Sequence, residues 1–189
     1  MENETKEILN YLGNTHTKLE LKEDFKDNYF SYLTDTIYIA KKFEKQKVPN
    51  AAKHINKKAA ELILICHECI HSKQNELLHI LNIIFSNMSI VLAVVGVFIG
   101  LLGTSPLWLK IPTIAVIIAS ITIRLILEVG AINGSTKLAT TIVEKTVVHG
   151  VSRQDIEVSE KYMNKYKCLV LLKMVLDKII LLILVLVLK

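Results

Sequence analysis

The amino-acid sequence predicts an all-α integral membrane protein, on three observations. Two apolar runs, residues 88–102 and 111–123, are separated by only eight residues. Each run with its flanks is long enough for a helix that crosses the roughly 30 Å hydrocarbon core of a bilayer. Hydrophobic residues make up 51% of the 189 positions although 22% are charged. Polar and apolar residues must therefore lie in separate segments.

The charges are distributed unevenly along the chain. Residues 81–132 carry only Lys110, Arg124 and Glu128, and most of the net charge of +5 comes from residues after 132. A basic excess beside an apolar hairpin favours contact with a membrane surface. The basic residues are not interleaved with aromatic ones, so we expect the lipid bilayer as a partner and no direct contact with nucleic acid.

Residues 1–79 are predicted to form a cytoplasmic helical region. A short helix over 5–12 should end at Gly13. A second helix is predicted over 17–47, and Pro49 should break it. A third helix should begin at the N-cap Asn50 and continue without interruption into the membrane. The second helix has an aromatic-rich apolar face, which either packs in a core or contacts a partner or the membrane. This face comprises Leu21, Phe25, Tyr29, Tyr32, Leu33, Ile37, Ile39 and Phe43.

Residues 80–128 are predicted to be the transmembrane hairpin, with spans near 80–102 and 107–127. Gly96 and Gly100 are four residues apart, as are Ala115 and Ala119. Such small-residue pairs predict close helix packing in lipid. Lysines and arginines are concentrated on both flanks of the hairpin, so the positive-inside rule places both flanks in the cytoplasm. We expect a bacterial inner (cytoplasmic) membrane protein with a cytoplasmic N-terminus.

Residues 129–167 are predicted to form further cytoplasmic helices after a break at 129–134. Ser135 should cap a helix over 136–149. Ser152 and Asp155 form a capping-box-like pattern at the start of the last helix. That helix should continue without a break to the C-terminus.

Residues 168–189 are either a third transmembrane helix or a membrane-surface helix. The segment is long and apolar but contains Lys173, Asp177 and Lys178. A charge near the centre of a span costs about 2.5–3.5 kcal/mol on insertion scales. Lys173 and Asp177 are four residues apart and can pair, as can Arg124 and Glu128. These five residues are therefore candidate pore or interface charges.

One motif carries potential chemistry. The sequence from His67 to His71 has the pattern HExxH on a predicted helix. Histidines four residues apart can bind one zinc ion, and Glu68 would be the candidate catalytic residue that activates a water molecule. The five residues resemble the zinc metalloprotease motif, but no third ligand follows in the motif's usual place. The alternative is a histidine pair without a metal.

The cysteines are further candidate metal ligands. Cys66 and Cys69 form a single CxxC, with Cys168 as the third cysteine. One CxxC is a weak zinc signature, and an odd count does not favour a disulfide framework. Apart from a candidate zinc ion, no cofactor is indicated.

The predicted layout of hairpin, short turn and helical flanks is similar to that of the small two-transmembrane effectors of bacterial antiphage systems, such as the SLATT type. It is also similar to the membrane accessory proteins of some CRISPR systems. The resemblance concerns architecture, and no functional residue is carried over. It implies self-association and membrane permeabilisation.

Three functional hypotheses follow. The first is a non-enzymatic homo-oligomer that acts as a pore or membrane effector in bacterial antiviral defence or stress. The second is a membrane zinc metalloenzyme that uses His67, His71 and Glu68. The third is an adaptor that recruits a soluble cytoplasmic protein to the membrane.

Overall fold

The computed structural model describes residues 2–22, 28–40, 55–102, 107–145 and 150–187. The protein is mostly helical, and a small sheet follows the first helix. The elements are α1 (Glu2–Tyr11), β1 (Lys18–Lys22), β2 (Tyr29–Ser31), β3 (Thr36–Ala40), α2 (Lys57–His71), α3 (Glu76–Leu101), α4 (Leu107–Lys145) and α5 (Arg153–Val187). A short 3-10 helix, Tyr32–Thr34, joins β2 to β3.

The chain divides into two compact units. We call Met1–Gln74 with Val129–Lys167 the α/β unit, and Asn75–Glu128 with Cys168–Lys189 the apolar unit. Helices α4 and α5 each contribute residues to both units. The two units differ in composition, because the α/β unit holds the sheet and most of the charged residues.

The sheet has the strand order β1-β3-β2, with β3 parallel to β1 and antiparallel to β2. Ile37 and Ile39 lie on one face of β3 and are almost completely buried. On the other face Tyr38 stacks on Tyr29, with ring centroids 4.8 Å apart. Adjacent side chains on paired strands pack in this way because their Cβ atoms are close.

The expected helix over 17–47 is therefore wrong for the described residues, and the all-α prediction needs correction for this sheet. β-Branched and aromatic residues dominate β3 (TIYIA), and they favour an extended backbone that packs on both sides. Asp35 has a left-handed φ of 45° immediately before β3, which interrupts any helix there. Tyr29 lies in β2 and Tyr32 in the 3-10 helix, so the described part of the predicted aromatic face does not form one helix face. Phe25 and Phe43 lie outside the described residues.

The first helix and its cap are confirmed. Helix α1 ends at Tyr11, and Gly13 follows with φ +66°. The Asn14 N–H donates to the Leu9 carbonyl at 2.9 Å. A glycine in this conformation satisfies the last carbonyl groups of a helix at low steric cost.

The expected continuous helix from Asn50 into the first span is wrong. Its start at Asn50 lies outside the described residues, and the chain forms two helices, α2 and α3, on either side of Ser72–Asn75. Asn56 and Asn75 are their N-caps. The Asn75 Oδ1 accepts from the Leu77 N–H at 2.8 Å, which satisfies a backbone donor that a helix start leaves unpaired.

The expected break at 129–134 is also wrong, because α4 is continuous from Leu107 to Lys145. Ser135 is not an N-cap but lies inside this helix, where its hydroxyl donates to the Ile132 carbonyl at 2.9 Å. Gly130 lies close to Gln74 in the turn after α2, and Gly134 lies close to Ile70 in α2. A Cβ atom at Gly134 would lie 3.1 Å from Ile70 Cδ1. Glycines in a helix can thus mark close packing and not a helix end.

Helix α5 begins as predicted. The Asp155 carboxylate accepts from the Ser152 backbone N–H at 2.8 Å, and the Ser152 hydroxyl accepts from the Asp155 N–H at 3.2 Å. The Ser152 hydroxyl also donates to this carboxylate at 2.7 Å, and this bond, together with the one from the Ser152 N–H, lowers the pKa of Asp155. The helix then runs uninterrupted to Val187.

Candidate functional site

The HExxH segment forms the last two turns of α2, inside the α/β unit. His67 and His71 lie one turn apart on one helix face. Their Nε2 atoms are 3.2 Å apart and their rings are nearly perpendicular, at 89°. His67 is only 8% exposed. The structure therefore brings the two predicted ligands together with their ring nitrogens facing each other.

Gln74 orients the second histidine. Its Oε1 lies 2.8 Å from His71 Nδ1. Because an amide oxygen only accepts, His71 Nδ1 carries the hydrogen and His71 Nε2 presents its lone pair toward His67. The turn after α2 positions Gln74, whose N–H donates to the His71 carbonyl at 3.2 Å. Gln74 was not predicted from the sequence, although it follows His71 by three residues, a spacing that lets the two side chains meet.

Glu68, the candidate catalytic residue, contacts the sheet. Its Oε2 accepts a hydrogen bond from the Phe30 backbone N–H at 2.8 Å. Phe30 belongs to β2, an edge strand of the sheet. The carboxylate thus ties the sheet to α2. A hydrolytic zinc centre would need this carboxylate beside the metal-bound water.

The two cysteines of the CxxC face the core of the α/β unit. Cys66 and Cys69 have no exposed surface, and burial raises the pKa of both thiols. Metals bind the thiolate form, so burial disfavours these thiols as ligands. Cys168 is exposed.

A buried lysine lies near Cys66 and was not predicted. The Lys167 Nζ donates to the Ser135 hydroxyl at 2.6 Å, and both residues are buried. The positive charge of Lys167 opposes the rise in the pKa of Cys66. The only signal in the sequence was a lysine directly before the apolar C-terminal segment.

In the apolar unit, large apolar side chains face outward and several hydroxyl groups face inward, the inverse of the distribution in a water-soluble protein. Its outer surface carries large apolar side chains such as Val94, Phe98, Ile111, Ile118, Ile180 and Ile183. Its interior holds the hydroxyl groups of Thr113, Ser89 and Ser120, each at most 1% exposed. Helices α3 and α4 are long and apolar enough to cross a membrane, with mean hydropathies of 2.3 and 2.1 over 18 residues.

The candidate charges occupy different environments in this unit. The Lys178 Nζ donates to Ser89 Oγ at 2.7 Å and to Ser86 Oγ at 3.4 Å. Lys173 and Asp177 are exposed on α5. The expected ion pair between these two side chains does not form among the described residues. On α4, Arg124 is exposed and Glu128 is half-buried.

The helices of the apolar unit pack around a small buried cluster. Ala93, Ile117 and Val185 form a buried cluster that joins α3, α4 and α5. A Cβ atom added at Gly96 would meet nothing within 4 Å. Ala115 is exposed and Ala119 is half-buried. Close packing through Gly96 and Gly100, which the sequence suggested mainly against the second span, stays a prediction.

No protein-family model matches this sequence, and no curated protein or solved structure is detectably similar to it. Its function must therefore be argued from the geometry of its own residues.

Proposed function

We propose that this chain is an integral membrane protein that self-associates into a pore-forming membrane effector, with the α/β unit in the bacterial cytoplasm. The inverted polarity of the apolar unit carries the proposal. Only 11% of the most apolar window of α3, and 22% of that of α4, is buried. Core helices of comparable hydropathy in a soluble protein are mostly buried, whereas lipid-facing helices are not.

The exposed apolar side chains of α3, α4 and α5 would be unfavourable in water. Burying a Leu, Ile or Phe side chain away from water gains about 1.5–3 kcal/mol. Phe98, Ile111 and Ile180 are each more than half exposed. A bilayer removes such side chains from water without any further protein contact.

The position of Lys178 is compatible with an apolar unit that lies in a bilayer. Ser86 and Ser89 are 15 and 12 residues before Leu101, the last residue of α3, so they lie roughly 22 and 18 Å below the end of that helix. With that end at the outer boundary of a hydrocarbon core about 30 Å thick, Lys178 lies about 10 Å from the inner boundary. An amine at this depth can reach the interface, and its two serine partners reduce the cost of burying it.

The charges on the surface of α5 support self-association. Lys173 and Asp177 interrupt an apolar surface that includes the exposed Leu172, Leu176 and Ile180. A carboxylate on a short side chain cannot extend far toward the interface, so lipid exposure of Asp177 would be unfavourable. Contact between the Lys173 of one copy and the Asp177 of another removes both charges from lipid. A ring of such contacts would line a water-filled path.

The orientation of the chain in the membrane is inferred from the positions of its lysines and arginines. Lysines and arginines flank the hairpin on the side of the α/β unit, and the positive-inside rule assigns that side to the cytoplasm. The setting in bacterial defence or stress rests on the architectural resemblance described above.

Reconstitution tests this proposal. Purified wild-type protein should form a discrete multimer in detergent and release dye from loaded liposomes. Asp177→Leu should reduce both multimer and leakage, because it removes the charge that the contact between copies satisfies. Leu176→Ala, which alters the neighbouring exposed residue without a charge change, is the matched control. A monomeric wild-type protein that leaves liposomes intact would contradict the proposal.

The two other hypotheses have less support from the described residues. The zinc hydrolase needs the Glu68 carboxylate at the metal, and that carboxylate binds the β2 backbone. The adaptor hypothesis rested on an aromatic helix, and the described part of that segment forms a sheet.

A further inference from the structure

We infer that His67 and His71 bind one divalent late transition-metal ion, such as zinc or copper, through their Nε2 atoms, with Gln74 as a positioning residue. The inference concerns the α/β unit alone and does not depend on the proposed membrane function. It assigns a binding role to the HExxH segment and no hydrolytic one.

The separation of the ring nitrogens supports the site. Two imidazole nitrogens bonded to one tetrahedral metal at about 2.1 Å are about 3.4 Å apart. The observed distance between His67 Nε2 and His71 Nε2 is 3.2 Å. The two nitrogens are thus close to the separation that one ion requires, and coordination needs the rings to turn so that both lone pairs point at the ion.

The hydrogen bond to Gln74 prepares His71 for coordination. Since His71 Nδ1 donates to Gln74 Oε1 at 2.8 Å, the His71 Nε2 lone pair is directed at the site. Metal-binding histidines commonly donate their second ring N–H in this way, and loss of the partner typically weakens metal binding by 10–100-fold.

Helix α4 passes close to the Gln74 side chain, in the turn after α2. A Cβ atom at Gly130 would lie 2.9 Å from Gln74 Nε2, so only a glycine at this position leaves the amide undisturbed. The glycine, the amide and the histidine thus form one chain of contacts that leads to the site. Both Gly130 and Gln74 belong to the α/β unit.

The contact between Glu68 and β2 disfavours a hydrolytic role for the metal ion. Glu68 Oε2 is bonded to the Phe30 N–H and is directed at the sheet. His67 and His71 supply two ligands from one helix, and the remaining coordination positions are open to water or to a further donor. Imidazole ligands favour copper, nickel and zinc over calcium and magnesium.

Titration of the full chain tests the site. The protein is purified in detergent without a polyhistidine tag, stripped with a chelator and titrated with zinc against a chromophoric competitor. We expect one zinc ion per chain. The double variant His67→Ala/His71→Ala should lose this binding, and Gln74→Leu should weaken it about 10–100-fold. Glu68→Gln should bind zinc as the wild type does.

His16→Ala is the matched control, because His16 is an exposed histidine in a different segment of the same unit. Copper electron paramagnetic resonance of the wild type provides a readout that does not depend on the folding of any variant, and it should show coupling to histidine nitrogens. Substoichiometric zinc, an unaffected double variant, or a spectrum without nitrogen coupling would overturn the inference.

Discussion

At the scale of single residues, the HExxH segment divides its side chains among three environments. His67 and His71 face each other, Glu68 reaches the edge strand β2, and Cys66 and Cys69 lie in the core. A helix turns by 100° per residue, so neighbours in sequence face different surroundings. The motif therefore cannot be interpreted without knowing what each helix face contacts.

Glu68 provides a test of this division. Glu68→Ala removes the acceptor of the Phe30 N–H and should lower the free energy of unfolding by about 1–2 kcal/mol. Glu68→Gln keeps an acceptor oxygen and should lower it less. Chemical denaturation in detergent measures both, and hydrogen exchange of the β2 amides locates the change. Equal stability of Glu68→Ala and the wild type would contradict the structural role.

The cysteines should differ in reactivity. Burial raises the pKa of Cys66 and Cys69, so both remain thiols at alkaline pH, and thiols react slowly with maleimides. Cys168 is exposed. A membrane-permeable maleimide should therefore label Cys168 in the native protein, and all three cysteines after denaturation. Mass spectrometry counts the adducts, and simultaneous labelling of all three in the native protein would contradict the burial.

At the scale of elements, glycines serve different purposes in different helices. Gly134 allows α4 to approach α2, with Ile70 in close contact. Gly96 in α3 faces open space. Their neighbours in sequence differ, since Gly96 lies between two valines and Gly134 between Asn133 and Ser135, but neither context shows what the glycine contacts.

A pair of matched substitutions separates these purposes. Gly134→Val should destabilise the chain by about 1–3 kcal/mol, because added methyl groups overpack the contact with Ile70. Gly96→Val should have little effect on the stability of the isolated chain. Both variants introduce the same residue into a helix, so the difference in thermal unfolding reports packing alone. Similar melting temperatures for the two variants would contradict the close approach of α4 and α2.

At the scale of the whole molecule, the two units have opposite distributions of polarity. The α/β unit buries Ile8, Ile37, Ile63 and Ile142 in one apolar core. The apolar unit buries serine and threonine hydroxyls and exposes its aliphatic side chains. Water stabilises the first arrangement and a bilayer stabilises the second.

Trp108 reports directly on the environment of the apolar unit. It is the only tryptophan and is 72% exposed at the start of α4. In reconstituted liposomes, lipids brominated near the headgroup should quench its fluorescence, and aqueous iodide added outside or inside should quench it weakly. The variant Trp108→Phe identifies the signal. Strong quenching by iodide without any effect of brominated lipid would show that the unit lies in water.

Some features of the fold could be predicted because they depend on local interactions. Gly13 ends α1, and the Ser152–Asp155 box begins α5, since both motifs satisfy backbone groups within a few residues. The apolar runs form helices long enough to cross a membrane, because their length and composition alone define that property.

Other features could not be predicted because they depend on contacts between distant segments. The apolar side chains of residues 18–40 recur at mixed spacings that fit a helix or a strand. The described residues form strands because they pair into a sheet that is bonded to α2. The glycines at 130 and 134 suggested a break until the close contact with α2 explained them. The separation of α2 from α3 depends on a four-residue turn that lacks proline and glycine.

By itself, then, the sequence determined the apolar segments, the net charge and the HExxH spacing, since each is a property of consecutive residues. The tertiary structure decided that Glu68 binds the sheet, that Gln74 orients His71, and that Lys178 meets serine hydroxyls. The physical reason is that hydrogen-bond partners and buried surfaces are chosen by packing, and packing joins residues that are far apart in the chain.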